Sequence, residues 1–435
     1  MSLLRRQLAD TRPLRQPDFR RLWVANIVTV IGAQLSIVAV PQQVFEITRS
    51  SAYVGLTGAF ALVPLVVFGL WGGALADAVD RRKLLLATTW GLIVTAVLFW
   101  IQAAAGNRNV WLVMGLLAVQ QAFFAVNQPT RSAIIPRLIP SGQLASASSL
   151  MMTVMQFGAI VGPVSAGILI PVVGLETLYL LDSVFLLATL WAVLRLPPQP
   201  ASVSETGERR RAGLRSVIDG FAYLATRRIL LASFVVDIIA MVFGMPRALF
   251  PQIATETFGD PVTGGTALGL LFAAMSVGAV VGGVFSGWIP RVRRQGLAVL
   301  VCITLWGLSM VAFGVVVGVS SPGASRWWLW LALAALAFGG AVDMISAAFR
   351  QAILLDAATD EMRGRLQGVF IVVVVGGPRI GDVAHGVAAA SVGTAVAAAG
   401  GGVLVVIGMA VAAIVFPALL RYTVRRAVER GTTAD

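Results

Sequence analysis

Ionisable side chains stand inside several long apolar runs of this chain: Asp182, Asp237, Arg247, Asp343, Arg379, Asp382 and His385. A charge held at membrane depth costs roughly 3 kcal/mol or more, so each such residue is a functional candidate from the outset. Arg379, Asp382 and His385 are spaced by three, and residues three apart share a helix face. That stripe reads either as a relay for protons or a substrate anion, or as an internal Arg379–Asp382 ion pair that neutralises both charges. Arg247 carries a planar fork of donors that can also stack, which suits an anionic or catechol-bearing ligand. The neutral polar groups Asn26, Gln34, Gln120, Gln121 and Asn127 can orient a bound molecule by hydrogen bonds, as polar points in an apolar pocket do. Equally, they can tie helices together. Phe123, Phe124, Phe243 and Phe250 supply apolar surface or simply pack.

The elements that carry these residues are membrane helices. Of the 435 residues, 58% are hydrophobic and only 12% charged, with a mean hydropathy of +0.86; soluble domains carry about a quarter charged residues. The net charge of +13 does not point to nucleic acid, because the arginines sit at the ends of apolar runs rather than along a polar face. A spanning helix needs about 20 mostly apolar residues. Twelve such runs are readable, at 22–45, 54–76, 84–105, 111–134, 146–171, 175–195, 229–252, 267–289, 296–319, 326–354, 366–391 and 395–420. The polar gap 197–228 divides the chain into a first half, 1–196, and a second half, 229–435, of six spans each. Loops on the side of the termini hold Arg81, Arg82, Lys83, Arg137, Arg209 to Arg211, Arg291, Arg293, Arg294, Arg363 and Arg365, against Arg49, Arg108 and Arg326 opposite. This bias places both termini and the linker in the cytoplasm. The N-terminal segment has no cleavable signal pattern, and Cys302, inside an apolar run, reads as a buried inert thiol.

The halves look like copies. Pro41-Gln42 with Glu46 answers Pro251-Gln252 with Glu256; Gly72-Gly73 answers Gly282-Gly283; Gly162-Pro163 answers Gly377-Pro378; TRSAII (130–135) answers FRQAIL (349–354). Parallel repeats related by an axis along the membrane normal are a transporter architecture, with the substrate site near the midplane between halves that rock.

Gly73-Ala74-Leu75-Ala76-Asp77 followed by Arg81-Arg82 resembles the loop 2–3 signature of the major facilitator superfamily, with departures at Ala78 and Asp80. More narrowly, VAVPQQ (38–43), GGALADAVDRRK (72–83), GFAYLATRR (220–228), Arg247 ahead of Leu249-Phe250-Pro251, TDEMRGRLQG (359–368) and Gly381-Asp382 resemble the enterobactin (siderophore) exporter and drug-efflux group. The resemblance implies an all-α fold of twelve membrane helices in two six-helix halves. It also implies a loop latch at Gly73, Asp77, Arg81 and Arg82, and a central cavity lined by spans one, four, seven and ten. Asp237 and Asp343 would then face that cavity and serve as proton-coupling candidates beside Asp382 and His385, unless each only pairs with Arg247 or a backbone group. Asp182, in span six, belongs at the periphery. Gln34, Gln121, Asn127, Arg247 and Arg379 are the substrate-cavity candidates. Gly158, Gly162, Pro163 and Gly167 resemble the antiporter motif of proton-coupled exporters, although small residues four apart also serve plain helix packing.

No P-loop, zinc-ligand spacing or GxSxG elbow is present, so the expectation is a transporter without cofactor or metal rather than an enzyme. Its partners are a small-molecule substrate, protons and the lipid bilayer, with no nucleic acid, and it functions as a monomer. The reading is a proton-coupled exporter of a siderophore or hydrophobic drug-like compound in the cytoplasmic membrane. The rivals are an importer or facilitator of a nutrient and a non-transport receptor or structural subunit.

Overall fold

The computed structural model describes residues 10–199, 223, 224, 226–320, 326–357 and 360–423; within these ranges the side chains at 70, 72–74, 76–78 and 360–372 lie outside the description. The linker expected at 197–228 falls largely outside it too. Among the described residues the fold is all helical. The first half contains α1 (Pro17–Thr48), α2 (Ser51–Ala78), α3 (Arg81–Ala104), α4 (Val110–Leu138), α5 (Leu144–Val173) and α6 (Leu175–Leu194). The second contains α7 (Arg228–Phe243), α8 (Thr266–Val284), α9 (Gln295–Val319), α10 (Arg326–Ala357), α11 (Asp360–Val392) and α12 (Thr394–Val415). By length and hydropathy, 11 of the described helices can cross a membrane; α11, with Arg379, Asp382 and His385, completes the twelve.

Three boundaries differ from the expected spans. α4 and α10 run past their apolar cores to Leu138 and Ala357, so arginines expected at span ends lie inside helices. Span eight ends at Val284 and continues as a 3-10 helix, Ser286–Arg291. Span seven is not continuous. It breaks after Phe243, then resumes as a 3-10 turn (Arg247–Leu249), one helical turn (Phe250–Gln252) and a π-helix (Ile253–Thr257). Pro246 has no N–H to give a helix and disfavours helical geometry at Met245, and Gly244 adds freedom at the same point.

The internal repeat is visible in the packing. α1 packs on α5 and α6, as α7 does on α11 and α12; α3 packs on α4 and α6, as α9 does on α10 and α12; α2 packs on α4 as α8 does on α10. The halves meet through α2 against α11 and α5 against α8, the same contact twice under a two-fold axis. The backbone repeats as well. Gly174 joins α5 to α6 at φ 80°, ψ 162°, and Gly393 joins α11 to α12 at φ 83°, ψ 161°. A side chain is strained at such positive φ, so glycine makes the one-residue turn possible in both halves.

The closest inter-half contacts lie on the side away from the termini, here called the far side. A Cβ on Gly55 would meet the Asp382 carbonyl oxygen, and one on Gly58 that of Arg379. Across the other interface, a Cβ on Gly167 would lie 2.8 Å from the Gly265 carbonyl oxygen and 2.9 Å from the Gly269 Cα. The backbones approach because no side chains intervene. Hydrogen bonds fasten the same end: Gln42 Nε2 donates to the Val262 carbonyl at 2.7 Å, and Ser51 Oγ to Gln252 Oε1 at 2.6 Å.

Candidate functional site

Beneath this closure lies a cavity of about 210 Å³. α1 contributes Asn26, Val30, Gln34, Ile37 and Pro41; α4 contributes Leu117, Gln121, Phe124, Gln128 and Arg131. Both sets recur at steps of three or four, so each helix turns one stripe inward. α6 adds Asp182, Leu186 and Thr189, and α11 adds Arg379. Apolar walls with a few polar points are the usual make-up of a small-molecule site. The volume is below the 300–1,000 Å³ typical of drug-sized pockets, so a bulky substrate requires the halves to part further.

Gln34, Gln121, Asn127 and Arg379 line this cavity; Arg247 is not among its lining residues. Asn127 is 3% exposed, and its Nδ2 donates to Thr88 Oγ1 at 2.9 Å and Thr89 Oγ1 at 3.3 Å, which ties α4 to α3. Asp182, expected at the periphery, faces the cavity. Its Oδ2 accepts from Ser36 Oγ at 2.5 Å, while Oδ1 is buried without a partner. Gly32 makes the room, since a Cβ there would lie 2.8 Å from Asp182 Oδ1. The Thr29 and Thr189 hydroxyls, 2.6 Å apart, hold α6 against α1.

Arg131 was absent from the candidates. Its Nη1 donates to Asn26 Oδ1, and its buried Nε has no partner. No ion pair to Arg131 is found among the described residues. The available signal was the repeat: TRSAII places Arg131 where FRQAIL places Arg350. Arg350 is 3% exposed; its Nη2 lies 3.1 Å from Asp237 Oδ1 and 3.4 Å from Asp343 Oδ1, and its Nη1 donates to Ser346 Oγ at 2.9 Å. The partner of Asp237 and Asp343 is therefore Arg350 and not Arg247, and α7 and α10 contribute nothing to the lining of the cavity described above.

Because span seven breaks at Gly244–Pro246, Arg247 is carried to α11, where it and Arg379 flank Asp382 near the Ala248 N–H. His385 is 3% exposed. Its Nδ1 lies 3.0 Å from the Gly381 carbonyl and its Nε2 faces the Phe243 and Gly401 backbone. The α11 stripe thus places Arg379 near Asp382, whose Oδ1 has no hydrogen-bond partner, while the neighbours of His385 are backbone groups.

The loop 2–3 stretch divides. Gly73 and Asp77 lie outside the described side chains. Arg82 Nη2 donates to the Leu194 carbonyl at 2.7 Å and Arg81 Nη1 to the Ala133 carbonyl at 3.2 Å, so a cation meets the negative end of α6. Asp80, a departure from the signature, is the N-cap of α3: its carboxylate accepts from the Arg82 and Lys83 N–H groups at 2.9 and 3.1 Å. In the antiporter-like motif, Gly158 rests on Val30, Gly162 on Gln34, and the Pro163 carbonyl and Gly167 on Gly269; the motif is where α5 fits against α1 and α8. Outside the spans, Asp260 accepts from the Leu268 and Ala267 N–H groups at 2.8 and 3.3 Å. Burial holds its carboxyl above the ordinary range despite those bonds.

A family model described as transmembrane secretion effector matches residues 9–423. The enterobactin exporter EntS of Escherichia coli O1:K1 / APEC is 28% identical over 405 residues, 90% of this chain and 90% of that protein, and that of Shigella boydii serotype 18 gives the same figures. Among solved structures, the nucleoside transporter NupG superposes with a TM-score of 0.71 at 12% identity, covering 94% of this chain and 100% of its own. A bacterial homolog of the human lysosomal transporter Spinster, in an inward-facing and unoccupied conformation, has a TM-score of 0.71 at 13% identity, covering 95% and 100%. At such identities the likeness is one of fold. The expected architecture, twelve helices in two halves of the major facilitator type, is the one observed, and the family and relatives are transporters rather than enzymes.

Proposed function

The chain belongs to the transmembrane secretion effector family of the major facilitator superfamily, and on that premise we propose that it is a multi-pass inner-membrane exporter that drives a siderophore or hydrophobic drug-like molecule outward by proton entry. The observation that carries this reading is the cavity itself, apolar with few polar groups and roofed by two symmetric interfaces on the far side. Rocking the halves about such interfaces exposes the cavity to one side at a time. With the termini in the cytoplasm, as the arginine bias requires, the far side is the exterior and the present state is shut against it.

Coupling is assigned to Asp237 and Asp343. Two carboxylates share the single Arg350 guanidinium, so the cluster has one surplus negative charge that one bound proton neutralises. Asp182 offers a second protonatable group inside the cavity. Asp382 and His385 remain outside that assignment: the first lies near Arg247 and Arg379 and accepts from the Ala248 N–H, and the second has the Gly381 carbonyl beside its Nδ1. Asp77 is proposed as the loop latch, so that Asp77→Asn slows turnover while leaving substrate binding in place.

The test is transport in inverted vesicles with a panel of siderophores and apolar drugs, with and without an uncoupler. Accumulation that rises when the lumen is acidified and collapses with uncoupler is the expected result. Uptake by whole cells instead would establish the importer reading, and flux indifferent to the uncoupler would remove the proton from the mechanism.

A further inference from the structure

We infer that Arg131 is the anion-receiving group of the cavity, and that the substrate is an amphipathic organic anion whose charged oxygen group docks there while its apolar body lies along α1 and α4. This deepens the exporter reading and rests on the cavity being the transport site.

The observation is an arginine inside a membrane helix whose polar neighbour is a neutral amide, Asn26. Its buried Nε has no partner, but neither has that of Arg350; what sets Arg131 apart is that no carboxylate among the described residues pairs with it. Intramembrane arginines ordinarily pair with a carboxylate or with backbone carbonyls. The matching arginine of the second half does so, between Asp237 and Asp343. Arg131 also lines the cavity, so the residue stands at a wall that a ligand can reach. The cavity's own carboxyl, Asp182, is fastened to Ser36. Ser36 lies ten residues beyond Asn26 on the same helix, about 15 Å along the axis at 1.5 Å per residue. That acid is too distant to satisfy Arg131. Arg379, the other cation on the wall, already has Asp382 beside it.

Gln128 stands three residues before Arg131 and shares the lining, adding amide donors to a guanidinium fork suited to carboxylate and related oxyanions. Val30, Phe124 and Met155 supply apolar wall nearby. A small inorganic anion would leave that surface unused, and a neutral apolar molecule would leave the guanidinium unmet. An oxyanion on an apolar body satisfies both.

The test uses three pairs of probes, each sharing one apolar body and pairing a charged with a neutral head group: 2-naphthoate with 2-naphthamide, dodecanoate with dodecanamide, and dodecyl phosphate with dodecanol. Binding is measured by equilibrium dialysis on the full-length protein in lipid nanodiscs, with protein-free nanodiscs subtracted. The wild type should favour the anion by about tenfold or more in at least one pair, the range expected for hydrogen bonds to a charged group. Arg131→Gln should abolish that preference while leaving affinity for the neutral member within about twofold. Arg131→Lys should recover part of it. Asn26→Asp, which gives Arg131 the carboxylate that its counterpart has, should also abolish the preference without removing the arginine. Equal binding of both members in every pair, absence of binding in every pair, or an anion preference that survives Arg131→Gln in a folded protein overturns the inference. None of these results depends on transport direction or on protons, so the exporter reading stands or falls separately.

Discussion

Each half of the molecule has an arginine on its fourth helix that reaches the first helix of that half. In the second half Arg350 on α10 meets Asp237 on α7 and also holds Asp343, about two turns back along its own helix. In the first half Arg131 on α4 meets Asn26 on α1 and faces a cavity. The scaffold is the same and the electrostatics are opposite. In the second-half cluster the cation is paired with two carboxylates; the first-half site faces a cavity and is short of negative charge. The two first helices diverge in parallel, because α1 runs unbroken for 32 residues while its counterpart breaks after Phe243. A repeated fold thus has one half committed to holding charge and the other to receiving it.

The sharpest break of that comparison is Arg350→Ala. It strands the buried carboxylate of Asp237 and the partly exposed one of Asp343, and removing one side of a buried ion pair costs about 3–5 kcal/mol; thermal unfolding in detergent should show a marked loss of stability. The triple replacement Asp237→Asn, Asp343→Asn and Arg350→Met, which leaves no charge to strand, should regain most of it. A wild-type melting temperature for Arg350→Ala would mean the cluster is hydrated and the contrast false. Next in size is the far-side roof. Gly269→Leu forces α5 and α8 apart where Pro163 and Gly167 pack, and should lower turnover about tenfold or more. A reporter cysteine at Val262, in a Cys302→Ala background, should label faster from the exterior; unchanged labelling would show that the interface does not form the roof.

Asp237→Asn tests the comparison more gently. It gives Arg350 an amide on the first helix, as Arg131 has, while Asp343 stays as its acid, and should make transport indifferent to an imposed proton gradient while costing about 1–3 kcal/mol of stability. Retained coupling would move the proton elsewhere, with Asp182 next in line. Asp80→Ala removes the cap of α3 and should cost about 1 kcal/mol, read as a small drop in melting temperature without change in transport. The smallest effect concerns Asp260. Its carboxyl is raised above the ordinary range by burial, so its contribution to stability is fully present below the ordinary carboxylate range and fades as pH rises through the raised value. Asp260→Asn should flatten that part of the stability profile; an unaltered profile would assign it to another group.

Much of this was legible from residue order. Apolar runs of about 20 residues marked the spans, and Gly162-Pro163 against Gly377-Pro378 marked the repeat. The site was less so. The apolar runs 111–134 and 326–354 already contain Arg131 and Arg350 near their ends, but hydropathy does not single them out; α4 and α10 continue to Leu138 and Ala357, which puts both arginines well inside a helix. The position of its span puts Asp182 at the periphery, whereas the room its carboxylate occupies against α1 comes from Gly32, a missing side chain on another helix. A continuous span seven would put Arg247 at cavity depth; Gly244 and Pro246 end the helix there and bring the guanidinium near Asp382 instead. In each case the deciding fact was how closely two helices approach or where one stops, and neither is written in hydropathy.

The one-residue turn at Gly393 has a consequence for how the chain is made. It binds α11, burdened with Arg379, Asp382 and His385, to α12, whose mean hydropathy of 2.4 is among the highest in the protein. A connector that short lets neither helix wait far from the other during synthesis, so the two enter the lipid as a single hairpin. The apolar partner supplies the insertion free energy that the charged one lacks, and lengthening the turn would expose that debt as a span that fails to cross.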